Sequence, residues 1–325
     1  MTMLRSRIIG LGSYLPERVS TNDDMAKIVE TSDEWIVTRT GIRQRHFADE
    51  GTSSSVMAVK ASEEALKMAG ITGEDLDLIV LATITPDKTF PSTAVYVQNA
   101  LGMKNGCAFD IVAACSGFIY ALRVADNMIR AGQVKTALVI GVETLSRITD
   151  FSDRNTCVLF GDGAGCAVLR AEEAAGSPDD FGVLDTLIYS DGRYAPELCS
   201  TGGASTNHEV GFITMNGREV FRHAAVNMAE VSEEILEKNG ISLDQIDWLV
   251  PHQANVRILE ATAKRLGIPL EKVISTVGEH ANTSAASVPL ALAESYKQGK
   301  IKKGQLLLLP AMGAGFTWGA ALIRL

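Results

Sequence analysis

The sequence predicts an α/β protein built from two copies of one unit, each a mixed sheet covered by helices. Three observations carry that reading. The chain has 325 residues, long for a single core and suited to two packed halves. Apolar strand-like runs alternate with helix-like runs throughout. And the pattern of the first half recurs, in the same order, in the second.

The recurrence is clearest around Gly70–Val80 and Gly240–Val250, 170 positions apart. Each follows a helix-like run (Ser62–Ala69 and Val231–Asn239), and each reads as helix, glycine stop, polar turn, aspartate and apolar strand. Buried strands are then expected at Thr136–Gly141 and Gln305–Pro310, each after a charged, glycine-containing turn (Arg130–Lys135 and Lys297–Gly304). Glycine turns feeding apolar strands follow at Gly161–Leu169 and Gly313–Ile323. A repeat this long is not a solenoid unit; it marks two homologous halves. The polar stretch Ala171–Asp180 is the expected join, which gives halves of 1–174 and 175–325. A site between the halves is the natural place for a ligand.

Composition narrows the classes. The chain is 46% hydrophobic and 21% charged, with a net charge of −9, which argues against general nucleic-acid binding. No stretch has the roughly 18 uninterrupted apolar residues of a membrane helix. The first residues run straight into Ile-Ile-Gly-Leu-Gly-Ser, so no secretion signal is expected and the protein is expected to be cytoplasmic. Five scattered cysteines, Cys107, Cys115, Cys157, Cys166 and Cys199, without a C-x-x-C pair, fit reduced thiols rather than a disulfide frame or a zinc site. No metal site is expected.

Cys115 stands out among them. It follows the apolar run Ala108–Ala114 and precedes a segment, Ser116–Arg130, whose apolar positions 118, 119, 122, 125, 128 and 129 keep helical spacing. A thiol at a helix N-terminus faces unpaired N–H groups and the positive end of the dipole, which favour the thiolate. Ala113, Ala114 and Gly117 leave room for a substrate. An ordinary buried cysteine would be a small hydrophobe. In the second half, the strand Asp247–Val250 leads into Pro251-His-Gln-Ala-Asn255, placing His252 at a strand end, where α/β folds gather function. Asn282, in Glu279–Ser287, stands before another small, polar helix start, where an asparagine could also simply cap the helix.

Together Val112-Ala-Ala-Cys-Ser-Gly-Phe118, Pro251-His-Gln-Ala-Asn255 and Asn282-Thr-Ser-Ala-Ala-Ser287 resemble the 3-oxoacyl-[acyl-carrier-protein] synthase III family, the thiolase-fold condensing enzymes that start fatty-acid synthesis. Thr31–Arg43, Phe160–Gly165 and Gly315–Gly319 also look like family segments, so the resemblance spans nearly the whole chain. It implies a thiolase-like fold in a layered αβαβα arrangement. It also implies decarboxylative Claisen condensation of a short acyl-CoA, such as acetyl-CoA, with malonyl-acyl-carrier protein. Cys115 would take the acyl group, and His252 and Asn282 would donate hydrogen bonds to the enolate. The N–H groups of Cys115 and Ala314 would hold the tetrahedral oxyanion. Ala314 departs from the family's more usual run of three glycines, and would be strained if its backbone were left-handed.

The resemblance further implies a coenzyme A tunnel with Trp35 stacking on adenine and Arg39 and Arg154 at phosphate or base. Thr31, Asn216, Gly217, Phe221 and Asn255 would line the pantetheine arm. Phe90 would close the acyl pocket across a homodimer interface, its bulk suiting a short primer. Arg257, Lys264 and Arg265 fall on one helix face after His252 and, with Arg222, would dock the acidic carrier protein, although such a face is often merely solvated. CoA enters as a substrate thioester, and no cofactor is implied. Gly161–Gly165 lacks the Lys-Ser/Thr of a nucleotide loop and reads as a packing turn beneath the site.

Neighbouring chemistries fit less well. A thiolase needs a second cysteine near the C-terminus, and the last here is Cys199. Elongating condensing enzymes use two histidines, but His46, His208, His223 and His280 lie in no matching motif. A hydroxymethylglutaryl-CoA synthase-like enzyme needs a glutamate near the cysteine, and none falls within Ala108–Gly117. A related enzyme making a quinolone or polyketide starter shares the Cys-His-Asn set and stays open. A binding module without turnover and a cysteine hydrolase are disfavoured by the intact set and the duplication.

Overall fold

The computed structural model describes residues 3–325. Two mixed sheets form its framework. The first contains β1 (Met3–Tyr14), β2 (Leu78–Ala82), β3 (Cys107–Ile111), β4 (Thr136–Thr144) and β5 (Asp162–Ala174), in the order β1-β5-β4-β2-β3. The second contains β6 (Gly182–Ser190), β7 (Trp248–Leu249), β8 (Leu306–Gly313) and β9 (Thr317–Arg324), in the order β7-β8-β9-β6. Read from β1 and from β6, both sheets run antiparallel, antiparallel, parallel. The duplication expected from the repeat is therefore a repeat of topology. β4 and β8 are buried along their whole length, which is why both read as continuous apolar runs rather than alternating ones.

The principal helices are α1 (Asp33–Thr40), α2 (Ser54–Ala69), α3 (Gly117–Arg130), α4 (Gly217–Lys238), α5 (Val256–Leu266) and α6 (Ser287–Lys297). α3 and α6 lie between the sheets. Their buried residues Phe118, Ile119, Leu122, Val288 and Leu292 share one core with Val80, Val139 and Ala167 of the first sheet and Leu307, Leu309 and Ala321 of the second. α2 covers the outer face of the first sheet, and α4 with α5 that of the second. The result is the αβαβα layering. Gly70 (φ 66°) and Gly240 (φ 62°) follow α2 and α4 in the left-handed conformation, as helix-stopping glycines do.

The repeat also places two matching turns at the centre. Ala114–Ser116 and Ser284–Ala286 are single 3₁₀ turns that feed α3 and α6. Their first residues, Ala114 (φ 44°) and Ser284 (φ 49°), both have left-handed backbones and again lie 170 positions apart.

Two expectations are corrected. Ala171–Ala174 is the end of β5, antiparallel to Met3–Ser6, so the connection between the sheets is shorter than the polar composition suggested. Asp162–Gly165 is the start of β5, not a turn. Its glycines serve packing all the same. A Cβ on Gly165 would lie 2.5 Å from Leu290 N and 2.7 Å from Pro289 C, so α6 rests directly on this strand. Gly165→Ala should destabilise the protein by about 1–3 kcal/mol through this overpacking. A denaturation midpoint equal to that of the parent would contradict the contact.

Candidate active site

One cavity of about 950 Å³ receives the helix tips, a volume suited to a sizeable small-molecule ligand. Cys115, His252, Asn282, Ser284 and Gly313 line its buried part. Trp35, Arg39, Asn155, Gly217, Phe221 and Arg257, exposed or half-buried, line the rest. The cavity thus runs from solvent to the thiol. Most of the wall between is apolar, from Ile84, Leu145, Val158, Leu159, Ile213 and Met215.

Cys115 lies in the 3₁₀ turn ahead of α3 and is 8% exposed. The expected thiolate does not prevail there. Burial pushes the thiol up to about 12, partly opposed by the Ser284 hydroxyl and reinforced by the charge of Glu143. Loss of hydration outweighs the helix dipole, which acts only within about one turn. All five cysteines are unpaired.

The strand end of the second half closes against this turn. A Cβ on Gly313 would lie 2.5 Å from Cys115 N and 3.1 Å from Ala114 Cβ. Only glycine permits that approach. The Ser116 and Thr317 hydroxyls lie 2.8 Å apart, with Ser116 Oγ 2.8 Å from Ala113 O and Thr317 Oγ1 2.9 Å from Ala314 O. They tie the cysteine turn to the Gly313–Gly315 turn. Ala314 is not strained: the left-handed angle falls on Gly315 (φ 129°) instead. The Ala314 N–H makes no hydrogen bond among the described residues.

His252 is 3% exposed, and burial lowers its pKa to about 3, so the ring is neutral. Its Nδ1 lies 2.6 Å from Ser287 Oγ, which also accepts the Gln253 N–H at 3.3 Å. Among the described residues Nδ1 is the only acceptor in reach of the Ser287 hydroxyl, and a hydroxyl that donates there puts the imidazole proton on Nε2. Asn282 is fixed by its backbone: its N–H donates to Leu159 O (2.9 Å) and its carbonyl accepts from Gly161 N (3.0 Å). Its side-chain Oδ1 accepts the Ser284 N–H at 2.8 Å, leaving the Nδ2 hydrogens for another acceptor. The capping role and an outward-facing amide donor therefore coexist.

The other expected residues divide. Trp35 carries Arg39 Cζ at 4.4 Å and Arg154 Cζ at 5.0 Å from its ring centroid. Arg154 also donates to Glu30 O, at 3.1 Å. Gly217, Phe221 and Asn255 line the cavity, whereas Thr31, Arg154 and Asn216 do not. Asn216 donates instead to Glu197 Oε2 at 2.8 Å, and Thr31 Oγ1 is buried without a partner. Asn255 caps α5 through Ile258 N, at 3.0 Å. Phe90 is 82% exposed and off the cavity. Of the basic set, Arg257 lines the cavity. Arg222 is paired to Glu219 at 2.6 Å and Arg265 to Glu230 at 3.2 Å, so part of the expected positive face is already neutralised.

Sequence reasoning missed Ser287, Ser284, Thr317 and Glu143. The absence of a glutamate from Ala108–Gly117 was true of the linear stretch only: β4 brings Glu143 close enough for its charge to act on Cys115. A carboxylate inside a wholly apolar run was the available signal.

The lowered His252 pKa has a consequence for stability. The unfolded chain protonates this ring near 6.5 while the folded chain resists, so stability falls as pH drops below about 6.5. His252→Gln should remove up to about 1.4 kcal/mol per pH unit of that slope between pH 6 and 4. Identical slopes in the two proteins would show that the ring is not held neutral.

Comparison with known proteins agrees with the fold. Residues 109–192 match the family 3-oxoacyl-[acyl-carrier-protein (ACP)] synthase III, and residues 236–325 match its C-terminal family. The chain is 58% identical over 323 residues to beta-ketoacyl-[acyl-carrier-protein] synthase III of Paramagnetospirillum magneticum, covering 99% of this chain and 100% of that one. Identity to the protein of that name from Bradyrhizobium diazoefficiens is 56% over 325 residues, with both chains fully covered. The crystal structure of 3-oxoacyl-[acyl-carrier-protein] synthase III from Aquifex aeolicus superposes with a TM-score of 0.92 at 51% identity, covering 98% of this chain and 100% of that one. A priming β-ketosynthase from a polyketide biosynthetic pathway superposes with a TM-score of 0.92 at 34% identity, covering 98% and 96%. The chain belongs to the 3-oxoacyl-[acyl-carrier-protein] synthase III family, thiolase-fold condensing enzymes that initiate fatty-acid synthesis.

Proposed function

We propose that the cavity condenses a short acyl-CoA, with acetyl-CoA as primer, and malonyl-acyl-carrier protein. The observation that carries this is the meeting of a thiol, a neutral imidazole and a carboxamide at the buried end of one solvent-open cavity. Cys115 sulfur attacks the thioester carbonyl and CoA leaves. The N–H groups of Cys115 and Ala314 face the developing oxyanion, where one such donor is worth about 3 kcal/mol. Malonyl-carrier protein then enters and loses carbon dioxide. His252 Nε2–H and Asn282 Nδ2–H hold the enolate oxygen while its carbon attacks the acyl-cysteine. A neutral histidine with its proton on Nε2 is a donor in this step, and no base is needed when carbon dioxide leaves.

CoA is placed along the exposed part of the cavity, its adenine end near Trp35, Arg39 and Arg154. Its pantetheine arm runs past Gly217, Phe221 and Asn255, with Thr31 and Asn216 flanking. The first half, 1–174, supplies the nucleophile, and the second, 175–325, supplies the two donors. Phe90, exposed on one chain, is assigned to the acyl pocket of a second copy in a homodimer. The similarity to a polyketide priming enzyme supports a starter-unit synthase as the second reading. A panel of acyl-CoA primers with malonyl-carrier protein separates the two.

Cys115→Ser should abolish acyl-enzyme formation from labelled acetyl-CoA. Asn282→Ala should acylate normally yet slow carbon dioxide release from malonyl-carrier protein by about 100-fold. Equal loss of both half-reactions in the Asn282 variant would refute its assignment as an enolate donor.

Carrier-protein docking is assigned to Arg222, Arg257, Lys264 and Arg265, of which Arg257 lines the cavity. Reversing Lys264 and Arg265 to Glu should raise KM for malonyl-carrier protein by about tenfold at low salt, and leave acylation by acetyl-CoA untouched. An unchanged KM would move the docking surface elsewhere.

A further inference from the structure

Behind the cavity wall lies a cation that the condensation does not use. Arg45, in the short strand Gln44–His46, is 0% exposed and does not line the cavity. Among the described residues no carboxylate lies within ion-pair distance of it. Burial lowers its pKa to about 10, so the guanidinium stays charged near neutral pH. Nη1 donates to Asn22 Oδ1 (2.8 Å) and Ser20 O (3.3 Å), Nη2 donates to Val158 O (2.8 Å), and Nε has no partner. Every bond ends on a neutral oxygen. A buried charge on such terms costs stability that a well-packed apolar side chain would not. Its retention points to a demand for geometry.

The guanidinium joins two pieces of chain. On one side Asn22 is a fixed anchor, because its Nδ2 donates to Asp33 Oδ1 (2.7 Å) and Ile42 O (2.8 Å). On the other side Val158 O begins the segment Val158–Gly161, of which Val158, Leu159 and Phe160 line the cavity. Asn282 hangs on that segment. Its N–H donates to Leu159 O (2.9 Å), its carbonyl accepts from Gly161 N (3.0 Å), and Phe160 pairs with it as a parallel bridge. Packing repeats the link: a Cβ on Gly161 would lie 2.8 Å from His280 O and 3.3 Å from Arg45 Cβ. The same strand region also grips the chain ahead of Asn282, since Arg43 N donates to Gly278 O at 2.8 Å. The Cys115 turn is held from elsewhere, by Gly313 and the Ser116–Thr317 pair.

We propose that Arg45 is the positioning residue of the Asn282 amide: by holding Val158 O it sets the segment from which Asn282 is hung, and so aims Asn282 Nδ2 at the enolate oxygen. Arg45 touches no substrate and acts only through Asn282. The inference rests on the reading of Asn282 as an enolate donor. Its consequence is selective. Loss of the guanidinium lets the Val158–Gly161 segment shift, and a shift on the order of 1 Å at a donor can cost up to about 100-fold in rate. Acylation of Cys115 does not use the Asn282 amide and is spared.

The two half-reactions, measured separately on the full chain, test this. Arg45→Met keeps the length of the side chain and removes its donors and charge. It should take label from acetyl-CoA at a rate within about twofold of the parent. Carbon dioxide release from malonyl-carrier protein should then slow by about tenfold or more in kcat, with KM within about twofold. In a protein already carrying Asn282→Ala, adding Arg45→Met should slow release by no more than about twofold further, because both changes remove the same donor. A purely structural arginine would lower both half-reactions together, and its effect would add in full to that of Asn282→Ala. Either result overturns the proposal, as does parental carbon dioxide release by Arg45→Met. If Arg45→Met does not fold, by thermal denaturation, Arg45→Lys decides by the same readings. Parental release by Asn282→Ala alone would overturn the enolate-donor reading itself, a result distinct from any reading on Arg45.

Discussion

The contact on which the rest depends is the backbone approach of Gly313 to Cys115. A strand end from the second sheet meets the turn that carries the thiol from the first, so closely that a single methyl group would collide with the Cys115 nitrogen. That contact sets the Ala314 N–H beside the cysteine turn, and the Ser116–Thr317 hydroxyl pair keeps it there. Each partner comes from a buried, fully paired strand or from a helix packed between two sheets. The precision of the centre is therefore inherited from the core, and interior packing yields little.

The second theme is polarity kept inside an apolar frame. The thiol, the imidazole and Glu143 all titrate away from their usual ranges in the direction of neutrality, because burial dominates each of them. A site of neutral donors suits chemistry in which charge appears only transiently. Fixed dipoles at the buried end of the cavity can meet that charge without reorganising. Left-handed backbones at Ala114, Ala281 and Ser284 surround the same centre, and strain of this kind persists where the surroundings over-determine it.

Much of this was legible in the sequence. The duplication could be read because both halves keep the same spacing of helix stop, turn and strand. Cys115, His252 and Asn282 could be read because each stands at a junction where an apolar run meets small residues. The thiol's protonation could not, since a helix tip and a buried helix tip look alike in one dimension. Glu143 escaped because its proximity to Cys115 arises from the sheet order, which sets β4 beside β2 and under the Ser284 turn. Ser287 and Thr317 escaped because serine and threonine are common at helix starts and strand ends, and nothing local distinguishes the two that orient a reactive group. The stretch 171–180 overran the connection at its start, because a half-buried strand end carries the same polar residues as a linker.

The matched turns at Ala114 and Ser284 allow a last deduction. Counted by the repeat, His252 corresponds to Ala82, Asn282 to Val112, Cys115 to Ala285 and Glu143 to Gly313. Every reactive group has an inert twin. Ala82 and Ala285 crowd the first residue of α3, whose added Cβ would meet theirs at 2.9 and 3.4 Å. In this chain the two inert twins are thus also spacers, small enough to let the cysteine-bearing helix start between them.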